Sequence, residues 1–194
     1  MTDPLDFSGK VVLVTGSSRG LGAEMIKAFG ARGEQCVVNY VADPDGTNKM
    51  DATNVAAALR EPLVIECDVT KPDQVEAMMK TIGEKFGGLD ILINNSGIIR
   101  DRTIKKLTLE EFESVVRVNL AGTFNVTQKA AAILRKDGRI VNLSSVSGQM
   151  GLFGQANYSS SKAAIIALTK REIGRASCRE RVYQPCRSRW SPYH

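Results

Sequence analysis

Tyr158 and Lys162 stand four residues apart in a helical stretch, so their side chains share one helix face. Ser145 lies thirteen residues before the tyrosine, just past an apolar strand. A tyrosine hydroxyl titrates near ~10, too high to exchange protons easily at neutral pH. A neighbouring ammonium favours the phenolate and lowers that value, each unit being worth ~1.36 kcal/mol. A serine hydroxyl can donate a hydrogen bond to a substrate carbonyl. Hydride delivered to that carbon makes an alkoxide, which the tyrosine protonates. A Tyr-x-x-x-Lys pair alone is common by chance; the serine gives it meaning. Asn119, in Val118-Asn-Leu120, either binds a water that refills the proton relay or satisfies a helix kink. The candidate catalytic set is Asn119, Ser145, Tyr158 and Lys162.

Hydride chemistry needs a carrier, and the first strand-to-helix turn reads Thr15-Gly-Ser-Ser-Arg-Gly-Leu-Gly22. Gly16, Gly20 and Gly22 let backbone approach a pyrophosphate at a helix N-terminus, where free N–H groups and the helix dipole favour anions. An NAD-type site wants an acid after the second strand. Asn39, Tyr40 and Val41 offer none, and the first acid is Asp43. Arg19 either meets a 2′-phosphate or is a solvated loop arginine. The reading favours NADP(H), with NAD(H) open. Asp68 either caps the next helix or accepts from an adenine amino group. Asn95 holds its turn, and Gly97 permits close approach. The candidate cofactor contacts are Gly16, Ser18, Arg19, Gly20, Leu21, Gly22, Asn39, Tyr40, Asp68, Val69, Asn95 and Gly97, with Tyr158 and Lys162.

The elements that must position these residues alternate along the chain. Apolar strands are expected at 11–15, 36–40, 63–66, 90–94 and 139–143. Helices are expected at 20–32, 48–60, from Pro72 to 86, in one long stretch from 109 to 135 capped by Thr108, and from about 157 to 170. Strands apolar on both faces lie between two helix layers. Strict β-α alternation then predicts a doubly wound parallel sheet, a Rossmann-like three-layer α/β/α fold ending after the helix that follows strand five.

Composition excludes several other functions. The 194 residues carry 26 Lys+Arg, 21 Asp+Glu and a formal net charge of +5. Residues 172–194 hold five arginines (Arg175, Arg179, Arg181, Arg187, Arg189) against Glu172 and Glu180, so the rest of the chain is nearly neutral. No basic, aromatic-lined face suits nucleic acid. The only His is His194, so residues 1–171 have no histidine base, and no metal site is expected. The N-terminus has no secretory pattern, and no apolar run approaches the ~20 residues of a membrane span. Cys36 and Cys67 read as small buried hydrophobes, and the expected compartment is a reducing cytoplasm.

These motifs together resemble the short-chain dehydrogenase/reductase family. The glycine turn, Asn94-Asn-Ser-Gly97, Asn119, Ser145, Tyr158 and Lys162 follow that family's order and spacing, with Ser96 in place of the usual Ala. The resemblance covers residues 7 to about 171 and implies catalysis by the Ser/Tyr/Lys set with NAD(P). Gly16-Ser-Ser-Arg-Gly20, Ser96-Gly-Ile-Ile-Arg-Asp101 and the stretch Gly148–Tyr158 are most similar to reductases of 3-oxoacyl thioesters. This implies an acyl-carrier-protein or CoA thioester as substrate. It also implies acyl carrier protein as a partner, which the basic group Arg100, Arg102, Lys105 and Lys106 would meet unless those charges are merely solvated. A homotetramer is implied for the full-length protein. An alcohol or sugar dehydrogenase of the same family, and a non-catalytic nucleotide-binding remnant, are the alternatives.

The resemblance stops at about residue 171. At ~30 residues per βαβ unit, about 60 further residues of the family's fold are expected beyond it. Residues 172–194 instead resemble a translated sequencing adapter, an expected non-native tail without a strand. Strand five is then expected to be an exposed apolar edge, and the 194-residue chain to be poorly soluble with little turnover.

Overall fold

The computed structural model describes residues 7–173 and 181–183. Val11–Val14 (β1) is buried at every position, which requires cover on both faces. Alternate side chains divide that cover. Leu13 packs with Met78 and Ile82 of α3 (Pro72–Phe86) and with Val126 of α5 (Thr123–Ala130). Val12 and Val14 face Ile26 of α1 (Gly20–Gly30) and Ala52 and Val55 of α2 (Thr47–Ala56). The sheet adds β2 (Gln35–Tyr40), β3 (Leu63–Glu66), β4 (Leu89–Asn94), β5 (Leu134–Asn142) and β6 (Arg181–Tyr183). Strand order is β3-β2-β1-β4-β5-β6, with every neighbouring pair parallel. This is the doubly wound α/β fold expected. Its order reverses between β1 and β4, the switch point where such sheets hold ligands beyond their strand ends.

Three expectations are corrected. The stretch 109–135 is not one helix. A capping box between Thr108 and Glu111 starts α4 (Leu109–Val116), a π-helical turn follows at Arg117–Gly122, and α5 ends at Ala130. Arg135 belongs to β5, drawn there by Asp90 (2.6 Å) and the Phe86 carbonyl. The second correction concerns β3, an edge strand that alternates half-buried and exposed residues.

The third correction concerns β5. It is not an edge, because β6 pairs with it from Arg139↔Arg181 to Val141↔Tyr183. Ladder bonds are made by main chain, which leaves no apolar signature at 181–183 for the sequence to show. The other residues of the expected tail, 174–180 and 184–194, lie outside the described residues.

Two polar clusters mark the ends of the central strands. Below, Asp90 accepts from Val11 N (2.9 Å), Arg135 (2.6 Å) and Lys10 (3.4 Å). Above, Asn94 and Asn142 are register partners on adjacent strands. Asn94 Nδ2 donates to Asn142 Oδ1 (2.7 Å) and Thr127 (3.0 Å). Asn142 in turn donates to Thr169 (3.0 Å) on α7 (Ala156–Ile173). The ladder ties both flanking helices to the strand ends just below the site. Among the described residues no helix is long and apolar enough to cross a membrane.

Candidate functional site

A cleft of about 640 Å³ opens at the strand C-termini. The β1–α1 turn forms its floor. Gly16 (φ +63°) turns back under Ser96, where a Cβ would come within 2.9 Å of Ser96 Oγ. At Gly22 a Cβ would lie 2.5 Å from both Asn95 Nδ2 and the Gly16 carbonyl, so helix and turn meet only because the side chain is absent. Asn95 locks this contact by donating to the Thr15 (2.8 Å) and Gly16 (3.1 Å) carbonyls. Position 20 (φ +56°) faces open space, free for an anion at the start of α1.

Of the expected cofactor residues, Gly16, Ser18, Arg19, Leu21, Gly22, Tyr40, Asp68, Val69, Asn95 and Gly97 line the cleft. Gly20 and Asn39 do not. Asn39 is buried beneath the floor, because its carboxamide is taken up by main chain: it accepts from Gly16 N (2.9 Å) and donates to Cys67 O (3.1 Å). It shapes the turn and touches nothing in the cleft. Asp68 Oδ1 accepts from both the amide and the hydroxyl of Thr70, organising the turn into α3 while the residue lines the cleft. Asp43 accepts from Asn48 N (2.9 Å) at the start of α2. Arg19 is paired with Asp51 (3.0 Å) and also bonds Asn48.

Tyr158, Lys162 and Ser161 occupy the first two turns of α7, beside the cleft rather than in its lining. Lys162 is only 5% exposed, and Nζ donates to the Leu143 carbonyl (2.7 Å) at the end of β5. Ser144 donates to the Lys162 carbonyl (2.8 Å), so the β5 exit that carries Ser145 grips this helix turn from both ends. Lys162 Nζ lies 5.7 Å from the centre of the Tyr158 ring. Burial pushes the lysine down from 10.5 to about 8. Ser145 Oγ accepts from Ser147 N (3.1 Å) and stands half-buried.

Asn119 sits in the π-helical turn and is fully buried. Its Oδ1 accepts from Ile98 N (2.8 Å), and its Nδ2 donates to Ile98 O (3.1 Å) and Ser161 Oγ (3.1 Å). Ser161 donates to the Tyr158 carbonyl (2.8 Å). Both Nδ2 hydrogens are thus taken, and Oδ1 keeps one acceptor site. The side chain is a clamp between the cleft wall at Ile98 and the helix bearing the tyrosine.

Sequence reasoning missed two positioning residues. Asn157, buried, donates to the Arg100 carbonyl (2.8 Å) and accepts from Tyr158 N (2.8 Å), pinning the first turn of α7 to the loop after β4. Gly148, in the short α6 (Ser147–Met150), has no room for a Cβ, which would meet Lys162 C at 2.6 Å. A polar residue beside the tyrosine and a glycine after the serine were the only signals. Neither is readable without the fold.

The cradle fits a nicotinamide dinucleotide: an open glycine turn, a helix start and a cleft whose wall at Ile98 is joined through Asn119 and Ser161 to Tyr158. No cluster of metal-binding side chains occurs among the described residues. The chain matches the short chain dehydrogenase family over residues 10–177. It is 42% identical over 160 residues to an uncharacterized oxidoreductase of Mycobacterium bovis, covering 80% of this chain and 62% of that protein. Over 165 residues it is 38% identical to a 3-oxoacyl-[acyl-carrier-protein] reductase of Synechocystis, covering 84% and 66%. It thus spans just under two-thirds of these relatives. A crystal structure of a short chain dehydrogenase from Mycobacterium avium superposes with a TM-score of 0.79 at 38% identity, over 88% of this chain and 65% of that one. Fold, glycine turn and the helix bearing Tyr158 and Lys162 agree with the family match, and the chain belongs to the short chain dehydrogenase family, whose members use NAD(P).

Proposed function

We propose that this chain carries the nucleotide-binding and catalytic part of an NADPH-dependent reductase of 3-oxoacyl thioesters. The observation that carries it is the buried Lys162 held 5.7 Å from the Tyr158 ring, beside a dinucleotide-sized cleft. Bound NADPH supplies the hydride. Ser145 orients the substrate carbonyl, Tyr158 protonates the nascent alkoxide, and Lys162 favours the phenolate left behind. Arg19 and the absence of a free carboxylate at the end of β2 support NADPH. The thioester rests on the reductases at 38% identity. Exposed Arg100, Lys105 and Lys106 near the tyrosine's helix suit an acidic carrier protein.

NADPH oxidation with acetoacetyl-CoA tests the reading, on this chain and on a form extended with the C-terminal third of a curated relative. Turnover that falls at least about a hundredfold in Tyr158→Phe supports it. Unchanged turnover in that variant overturns the mechanism. Reversal of Arg100 and Lys106 to Glu is expected to raise KM for the carrier-protein thioester but not for the CoA thioester. A 42% identical relative is an uncharacterized oxidoreductase, which leaves the substrate class open to a second reading, an NAD(P)-dependent alcohol or sugar dehydrogenase. A substrate panel separates the two.

A further inference from the structure

Arg19 does not stand free at the edge of the cleft. Two side chains of α2 hold its guanidinium: Asn48 Oδ1 accepts from Nη2, and Asp51 Oδ2 lies 3.0 Å away. Asn48 lines the cleft and is itself fixed, donating from its amide nitrogen to Asp43 (2.9 Å) and from Nδ2 to Val41 O (2.9 Å). The two carboxylates thus differ in what they do. Asp43 is engaged by a helix start and Asp51 by an arginine. Only Asp51 holds its negative charge where an anion on Arg19 would sit.

We infer that Asp51 is the residue that tempers the choice between a 2′-phosphorylated and an unphosphorylated dinucleotide. This rests on the NADPH reading above. The Arg19–Asp51 pair is half-exposed, with the arginine side chain 55% and the aspartate 30% accessible. Pairs of this kind are weak and give way to a stronger partner. A 2′-phosphate, nearly dianionic and with three acceptor oxygens, is that partner, and it takes the planar guanidinium in a charge-assisted contact. Asp51 nevertheless remains on α2 beside Arg19 and would repel a phosphate held there. Its charge lowers the gain from the phosphate and has little to act on when the ribose carries only a hydroxyl. Asn48 holds the arginine without charge, so it aims the guanidinium without opposing the phosphate.

The test is titration of NADPH and NADH into the 194-residue chain, by NADPH fluorescence and by calorimetry. Asp51→Asn is expected to tighten NADPH about threefold and leave NADH unchanged, the scale of a half-exposed charge pair. Asn48→Asp, which adds a carboxylate beside Arg19, is expected to move NADPH the other way. Arg19→Ala is expected to weaken NADPH about tenfold or more and to spare NADH. If Arg19→Ala behaves so while Asp51→Asn leaves NADPH unchanged or weaker, this inference falls and the NADPH reading stands. If Arg19→Ala leaves both dinucleotides unchanged, or the wild-type chain binds neither, the NADPH reading falls and takes this inference with it.

Discussion

Lys162 is a lysine whose charge costs more in the folded chain than in the unfolded one. Its value is near 8 in the folded chain and 10.5 as an ordinary lysine. Between those two pH values the unfolded chain binds more protons than the folded one, so this residue makes stability rise with pH across that window. Cys36 and Cys67 act oppositely. Burial pushes each thiol from 9.0 up to about 12, so the unfolded chain loses protons first and stability falls as pH passes 9. The lysine's part is isolated by comparing wild type with Lys162→Met in urea melts from pH 7 to 10.5. The variant is expected to lack a rise of up to about 3 kcal/mol. Equal pH profiles would show that the lysine is not buried as described.

At the scale of elements, α6 and α7 meet at a glycine. A methyl at 148 would strike main chain rather than a flexible side-chain end, so one of the two helices must move. Gly148→Ala is expected to cost about 1–3 kcal/mol in denaturant melts and to lower kcat more than it raises KM, since it displaces the turn that carries Lys162. The π-helical turn works in the same way, placing Asn119 to clamp Ile98.

What the sequence made legible was local. The glycine spacing, the Tyr158–Lys162 face and the apolar strands each depend on near neighbours along the chain. Asn39, Asn157 and Gly148 depend on partners 14 to 57 residues away. Asn39 at the end of β2 therefore read as a cofactor contact, while its carboxamide bonds main chain from two other segments. The break in the 109–135 helix was hidden for another reason. A π turn keeps helical composition while shifting which residues face inward.

Across the whole molecule, binding and stability separate by end of the sheet. Asp90 is buried at the lower end and compensates Arg135 and Lys10 there. Asp90→Ala is expected to lower stability by about 3 kcal/mol, because it strands a part-buried guanidinium and a strand amide. On the proposed reading NADPH affinity is set at the opposite end and should remain unchanged in calorimetry. NADPH should also raise Tm in both proteins with ligand concentration, as any ligand specific for the folded state does.

The Asn94–Asn142 ladder has a consequence of a different kind. The apolar runs of parallel strands could by themselves slide by two residues and still bury the same faces. The amide pair opposes that slide between β4 and β5, because another alignment separates the two buried carboxamides and breaks their bonds to each other and to Thr127 and Thr169. These asparagines serve as a gauge that favours one alignment, and Ser145 emerges at its proper height because β5 has been measured against β4.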